Sequence, residues 1–325
     1  ALFGSKKQAG LDIKLIRGSK GVPVSLMPSA FDAKATFRDR IGVTVTETEM
    51  PFFREGFKIK EKDRQEMLRV QDSNDPYAQT VLSRIFDDAN NLVEGAMVVP
   101  ERMIFQLLFP QNGDVGISIK ANGVDYTYDY DPGDTWKAKN YTALTTTALW
   151  SAAATADPFK DFQTAKDAIR GETGTDLVTV IMNTTTFNMM KATDAVKNRW
   201  LTSTGRSLGY LTNAEAKEVI AGTSELNVVV YDKQFKDESG VAHKFVPDGY
   251  VCLIPDGELG TVTYGTTPEE ADLMGSGKAD VAIVNTGVAL STIVQPHPVN
   301  VNIIASEIVL PSFERMDEVA VIKVV

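Results

Sequence analysis

The stretch from Val228 to Glu270, VVVYDKQFKDESGVAHKFVPDGYVCLIPDGELGTVTYGTTPEE, constrains the fold more than any other part of the chain. It has the plan of a strand, a turn, a strand and a second turn. Val228 to Tyr231 is a β-branched run, and Asp237 to Gly240 is a polar turn ending in glycine. Pro247-Asp248-Gly249 and Pro255-Asp256-Gly257 each punctuate a further strand, because proline presets φ and glycine supplies the positive φ of tight turns. No catalytic grouping accompanies the pattern, so its contribution is shape.

A chain of 325 residues, 43% hydrophobic and 23% charged, lies in the ordinary globular range and suffices for one or two domains. No run approaches the roughly 18 uninterrupted apolar residues of a membrane span. The opening ALFGSKKQAG lacks the apolar core of a secretion signal, so the chain is expected in the cytosol. Cys252 is the only cysteine. Intramolecular disulfides and cysteine-based metal clusters are thereby excluded, and Cys252 reads as a small buried hydrophobe.

The net charge of −10 hides an asymmetry. Residues 1–70 hold 14 Lys/Arg against 9 Asp/Glu, a net of +5, which leaves −15 for the remainder. A basic segment and an acidic body attract each other at short range, between copies as readily as within one. A solvated basic tail is the other reading of the same charges.

Residues 1–24, with Gly4, Gly10, Gly18 and Gly21 and five Lys/Arg, cannot bury enough surface to fold alone and read as an N-terminal arm. Residues 25–72 read as an extended loop. Within it Ile41 to Thr48 alternates at period two, and Phe52 to Ile59 sets three phenylalanines among charges, the pattern of a long two-stranded hairpin. Exposed rings there would be a liability, so the hairpin is expected to lie on something outside its own fold. The candidate contact residues are Lys6, Lys7, Lys14, Arg17, Arg38, Arg40, Phe52, Phe53, Phe57 and Lys58, with Asp237 and Glu238 of the polar turn.

Residues 73–149 begin with the strongest helix signal. Asp75 suits the N-cap and Pro76 the first turn, and Tyr77, Val81, Ile85, Ala89, Leu92 and Ala96 recur near helical spacing. A second helical piece, Pro100 to Phe109, is ended by Pro110 and Gly113. Val115 to Ile119 then pairs with Val124 to Tyr130 around Asn122-Gly123, a dipeptide that accepts positive φ at both positions. A boundary falls near Trp150. Across 150–285 the elements alternate: helix Pro158 to Arg170, strand Leu177 to Met182, helix Thr185 to Asn198, a loop at Ser203 to Gly209, helix Asn213 to Ile220, then the strand block. Strands follow at Val281 to Leu290, Val299 to Leu310 and Val319 to Val325, those of 286–325 returning to the domain that holds the long helix.

Enzymatic signatures fail one by one. Gly275-Ser276-Gly277-Lys278 lacks the glycine a phosphate loop needs at Asp272 and the hydroxyl it needs at Ala279. Asp129, Asp131 and Asp134 resemble a calcium loop, but Gly133 is misplaced and Asn140 stands where a bidentate glutamate belongs, so a solvated acidic turn is expected. His243 and His297 have no serine or cysteine partner in a motif. The basic residues Lys6, Lys7, Lys14, Arg17 and Lys20 lack a recognition helix or stacking platform, which suits nonspecific or protein-directed contact.

The ordered series of features carries a resemblance. The series runs from Trp150 with Asp157-Pro158-Phe159-Lys160-Asp161, through Val180-Ile181-Met182-Asn183 and Lys244-Phe245-Val246-Pro247, to Gly260 with Thr263-Tyr264-Gly265. It ends on Ile304-Ala305-Ser306-Glu307 and Leu310-Pro311. Over most of the chain it resembles the major capsid protein family of phage lambda.

The resemblance implies an α+β fold of the Hong Kong 97 capsid type: N-terminal arm, extended β-hairpin loop, long spine helix in a peripheral domain, and an axial α/β domain over 150–285. It implies a non-enzymatic virion protein, assembled in the host cytoplasm as hexamers and pentamers of an icosahedral shell around double-stranded DNA. A decoration protein, a scaffold protein, a maturation protease and a portal are the implied partners, with no cofactor, no metal and no membrane. Some members crosslink through a lysine, an asparagine and a buried glutamate. Lys58, Lys60 and Lys62 lie in the candidate loop, but no asparagine or glutamate matches by motif, and the role is not carried over. An encapsulin-like compartment is the alternative. A hydrolase would need a carboxylate cluster or triad, and the sequence offers neither.

Overall fold

The computed structural model of the chain describes residues 2–18, 44–63, 65, 87–121, 123–205 and 209–325. The N-terminal part gives β1 (Phe3–Lys7), β2 (Asp12–Arg17), β3 (Thr44–Glu49), β4 (Phe52–Ile59) and helix α1 (Asp88–Leu108). Then come β5 (Gly116–Ala121), β6 (Val124–Asp129), α2 (Thr135–Asn140), β7 (Tyr141–Ala143), α3 (Pro158–Thr173), β8 (Leu177–Met182), α4 (Thr184–Ala192), α5 (Asp194–Thr204) and α6 (Asn213–Ser224). The remainder is β9 (Asn227–Val230), β10 (Gln234–Lys236), β11 (Ala242–Lys244), β12 (Tyr250–Pro255), β13 (Gly260–Tyr264), β14 (Asp280–Val284), β15 (Val288–Pro296), β16 (Val299–Ser312) and β17 (Ala320–Lys323). The chain divides into two compact units.

Unit one takes Ala1–Leu15, Thr46–Met103 and Gly260–Ser312. Its frame is the 14-residue strand β16, rich in β-branched residues, in a six-stranded sheet of order β1-β13-β16-β15-β14 with β4 also on β16. β4 pairs with β16 from Phe52↔Ile308 to Ile59↔Val301, and β13 takes over from Val309 to Ser312. Leu92 and Ala96 of α1 pack on Val288, Leu290, Ile303 and Ala305, which lie on one face of the sheet. β1 runs parallel to β13, with the Phe3 ring buried beside Gly260. A Cβ at Gly260 would come within 2.8 Å of that ring and collide with the carbonyl of Ser312. Only glycine permits this approach.

Unit two takes Ile16–Val45, Ile104–Leu259 and Phe313–Val325. Its five-stranded mixed sheet has the order β7-β17-β12-β8-β9. β12, buried at every position, is antiparallel to both neighbours, whereas β8–β9 and β17–β7 are parallel. The core joins Trp150, Phe162, Phe187, Val196, Trp200 and Ile220 to strand residues Val180, Val251 and Leu253. The helices start where local chemistry satisfies their first amides. Asp157 accepts from Lys160 N, Asn183 from Thr186 N, and Thr212 with Glu215 forms a capping box. Gly249 and Gly257 sit at φ of +77° and +90°, which the two Pro-Asp-Gly turns demand.

The chain departs from its sequence-based expectations at several points. The first residues are not an arm awaiting a partner throughout, since β1 is a strand of its own chain's sheet. β3 and β4 do not form a hairpin: β3 pairs with β2, and β4 with β16. Met50-Pro51 separates them, and the fixed φ of proline forbids the positive-φ turn a two-residue hairpin loop needs. Helix α1 runs through Pro100 without a break, so the two expected helical pieces are one. Burial of Pro100, Met103, Leu107 and Leu108 offsets the roughly 3 kcal/mol proline penalty.

Conversely, the expected helix Thr185 to Asn198 is two, broken where Thr193 turns extended at ψ 145° and its hydroxyl bonds Met190 O. The expected strand Val281 to Leu290 is also two, β14 and β15, around Asn285 at φ +54°. α2 and β7 were not foreseen. The β5–β6 hairpin forms in the expected register with Gly123 at φ +79°. The proposed helix start at Asp75-Pro76, the positions Val81 and Ile85, and residues Arg38, Arg40 and Asn122 lie outside the described residues.

Candidate assembly surfaces

In unit one, β4 carries three of the candidate rings. β16 occupies one edge of β4, and among the described residues no strand pairs with the other. Gly56 lets the two backbones close up, because a Cβ there would sit 2.8 Å from Ile303 O. Phe52 and Phe53 are half-buried, while Phe57 remains 42% exposed, with Lys58 exposed beside it. Arg54 lies 4.6 Å over the Phe52 ring and reaches Glu269 at 2.6 Å. Glu269 is buried and also accepts from Ser306 Oγ at 2.7 Å. This charged pair ties β4 to the turn Glu269–Leu273 from the face opposite α1.

The basic candidates of the first 17 residues separate into two kinds. Lys6 and Lys14 are exposed. Lys7 donates to both carboxylate oxygens of Glu270, at 2.6 and 2.7 Å, inside unit one. Arg17, in unit two, is engaged more deeply: it meets Asp131 at 2.8 Å, Asp317 at 2.7 Å and Thr135 Oγ1 at 3.1 Å. Asp131 is therefore not part of a solvated acidic turn, as its spacing with Asp129 and Asp134 had suggested. It is buried and accepts the backbone N–H groups of Trp136 and Lys137, which start α2. Burial opposes its ionisation, yet these N–H groups and Arg17 hold its carboxyl below the usual range.

The polar turn joins β10 to β11 in unit two. Asp237 accepts Ser239 N and Val241 N through one oxygen and lies 2.8 Å from His243 Nε2 through the other. The His243 contact and those backbone bonds lower its proton affinity. Glu238 is exposed at the tip. An aromatic stack seats the hairpin: Phe235 on Phe245 at 4.8 Å, Phe245 against Phe105 at 5.4 Å, and Phe105 on Tyr231 at 4.8 Å. Sequence reasoning missed this stack because its members span residues 105 to 245.

Among the described residues no group of three or more His, Cys, Asp or Glu is placed to hold a metal ion. Cys252 is fully buried and its thiol is pushed up by desolvation, which leaves it unreactive. Glu307, in the middle of β16, was also missed. It is 1% exposed, and burial pushes its carboxyl up to about 8. A glutamate inside the apolar run Ile303 to Leu310 was the available signal.

The family model for phage major capsid protein E matches residues 7–324. The chain belongs to that family. No curated protein sequence matches it. Among solved structures, a candidate capsid protein of an Escherichia coli CFT073 prophage superposes with a TM-score of 0.57 at 14% identity, covering 87% of this chain and 80% of that one. A phage-related protein from Bordetella bronchiseptica RB50 gives 0.54 at 14% identity, covering 99% and 89%. The mature capsid of bacteriophage PhiM1 gives 0.50 at 10% identity, covering 98% and 85%. The fold of this phage major capsid protein is the mixed α+β Hong Kong 97 type. Its role as a major capsid protein is to form the shell of a virion from many copies of itself, which makes the surfaces of β4 and of the β10–β11 hairpin more relevant than any pocket.

Proposed function

We propose that this chain forms hexamers and pentamers of an icosahedral phage head that encloses double-stranded DNA, and that its candidate contact residues make the contacts between copies. The observation that carries this reading is the exposed flank of β4. A strand with one edge unpaired among the described residues and a 42% exposed phenylalanine is a liability for a lone molecule and an asset for one that is covered by its neighbours. Lys6, Lys14 and Lys58, with Arg38 and Arg40, supply the positive side of such contacts, and Asp237 and Glu238 the negative side. Lys7 and Arg17 serve chiefly within the chain.

Many modest interfaces per copy then close into a stable particle. The division into an N-terminal segment (1–24) that β1 anchors to its own sheet, a loop (25–72), a peripheral domain (73–149), an axial domain (150–285, of which the part from Gly260 joins unit one) and returning strands (286–325) belongs to the same reading, as do a decoration protein, a scaffold, a maturation protease and a portal as partners. A structural protein without enzymatic activity, assembled in the host cytoplasm, fits it. The family match favours a phage head over an encapsulin-like compartment. Electron microscopy of the purified chain tests the proposal: closed shells, tubes or capsomers are expected, and a strictly monomeric species under all conditions would overturn it.

A further inference from the structure

Glu307 stands opposite Phe53 in the β4–β16 ladder, on the face of the sheet that carries Ala305 and Ile303. Both of its carboxylate oxygens are buried, and neither has a hydrogen-bond partner among the described residues. A carboxylate cannot be kept there at low cost, whereas a neutral acid can.

The groups around it offer little compensation. β4 contributes Phe53 directly opposite and the exposed Glu55 two residues along the same face; β15 contributes Val288 and Leu290. β13 contributes Tyr264, whose hydroxyl is pushed up to about 12 by burial and by Glu307. Helix α1 presents Leu92 and Ala96, and its charged residues Glu94, Glu101 and Arg102 do not enter the shift of Glu307, which comes from burial alone. Arg54 and Glu269 pair on the opposite face, around Ser306.

We propose that Glu307 is a proton-operated catch for strand β4: as the neutral acid it lets β4 lie on β16, and as the carboxylate it favours release of the strand. With β4 lifted, the carboxyl meets water and titrates near its ordinary value of about 4.3. In the closed sheet it titrates near 8. The closed state thus binds the proton more tightly, its advantage is complete below about pH 4, and it falls about tenfold per pH unit until the carboxyl ionises in place near pH 8. Where β4 touches another copy, opening withdraws that contact. This consequence rests on the function proposed above, but the catch itself does not.

Amide hydrogen exchange of residues 52–59 in the unassembled full chain, corrected for intrinsic rate between pH 5 and 8, tests it. Opening of β4 should rise about tenfold per pH unit in the native protein and stay flat in Glu307→Gln and in the near-isosteric Glu307→Met. A flat native profile, or the same slope in native protein and variants, would overturn the proposal. Should neither variant fold, the carboxyl ¹³C shift of Glu307 in the native chain decides: a midpoint near 8 supports the catch, and one near the ordinary 4.3 rejects it. Because the readout is taken on unassembled protein, failure here leaves the shell reading intact.

Discussion

Arg17 shows how one side chain fixes a stretch of backbone. Its planar fork spreads over two carboxylates, Asp131 and Asp317, while backbone N–H groups of α2 complete the shell of Asp131. Arg17→Ala leaves Asp131 buried with one fewer partner, so unfolding free energy at pH 7 should fall by about 2 kcal/mol. The sign with pH follows from the depressed proton affinity of Asp131. Its contribution is present above the unfolded value of about 3.9 and is lost as pH falls through the lower folded one. Denaturant titrations of native and variant protein should therefore converge at strongly acid pH, and a gap of unchanged size there would contradict this account. Arg17 stood out in the sequence as a basic residue of the N-terminal segment. Its partners did not, because they lie 114 and 300 residues away.

At the scale of elements, the two ends of the N-terminal segment call for opposite expectations. β1 is part of a sheet, with Phe3 buried on Gly260 and Lys7 held by Glu270. Deleting residues 1–8 removes that strand. It should cost stability, about 2 kcal/mol from the phenylalanine burial alone, visible as a lower thermal midpoint in the unassembled protein. An unchanged midpoint would mean that the strand is dispensable. Phe57 differs, because a large part of its ring already faces solvent. Phe57→Ser should leave the midpoint of the unassembled chain nearly unchanged and raise the concentration needed for assembly about tenfold, equivalent to ~1.4 kcal/mol per lost contact. Light scattering against concentration measures this, and aggregation of the isolated variant would argue that the ring belongs to the core. Three phenylalanines set among charges located β4, and period-two alternation located β3. The pairing expected between them does not form, since a local pattern reports that a segment is extended and carries no information on the strand across the ladder.

For the molecule as a whole, the charge division between residues 1–70 at +5 and the remainder at −15 predicts salt-sensitive assembly. Raising ionic strength from about 0.1 to 1 M shortens the screening length from ~10 to ~3 Å, so assembly yield measured by sedimentation should drop. A yield that holds or rises would assign the affinity to apolar contacts such as Phe57. Short-range sequence was enough for the Pro-Asp-Gly turns at Gly249 and Gly257 and for the hairpin turn at Gly123, and the ordered series of motifs was enough for the family. The turns depend on neighbours within a few residues, where φ preference acts. Long-range packing set the rest: β1 joins β13, β4 pairs with β16 and not β3, α1 continues through Pro100, and Asp131 and Glu307 are buried. Each of those outcomes balances local preference against burial and pairing with residues far along the chain, and that balance exists only once the chain has folded.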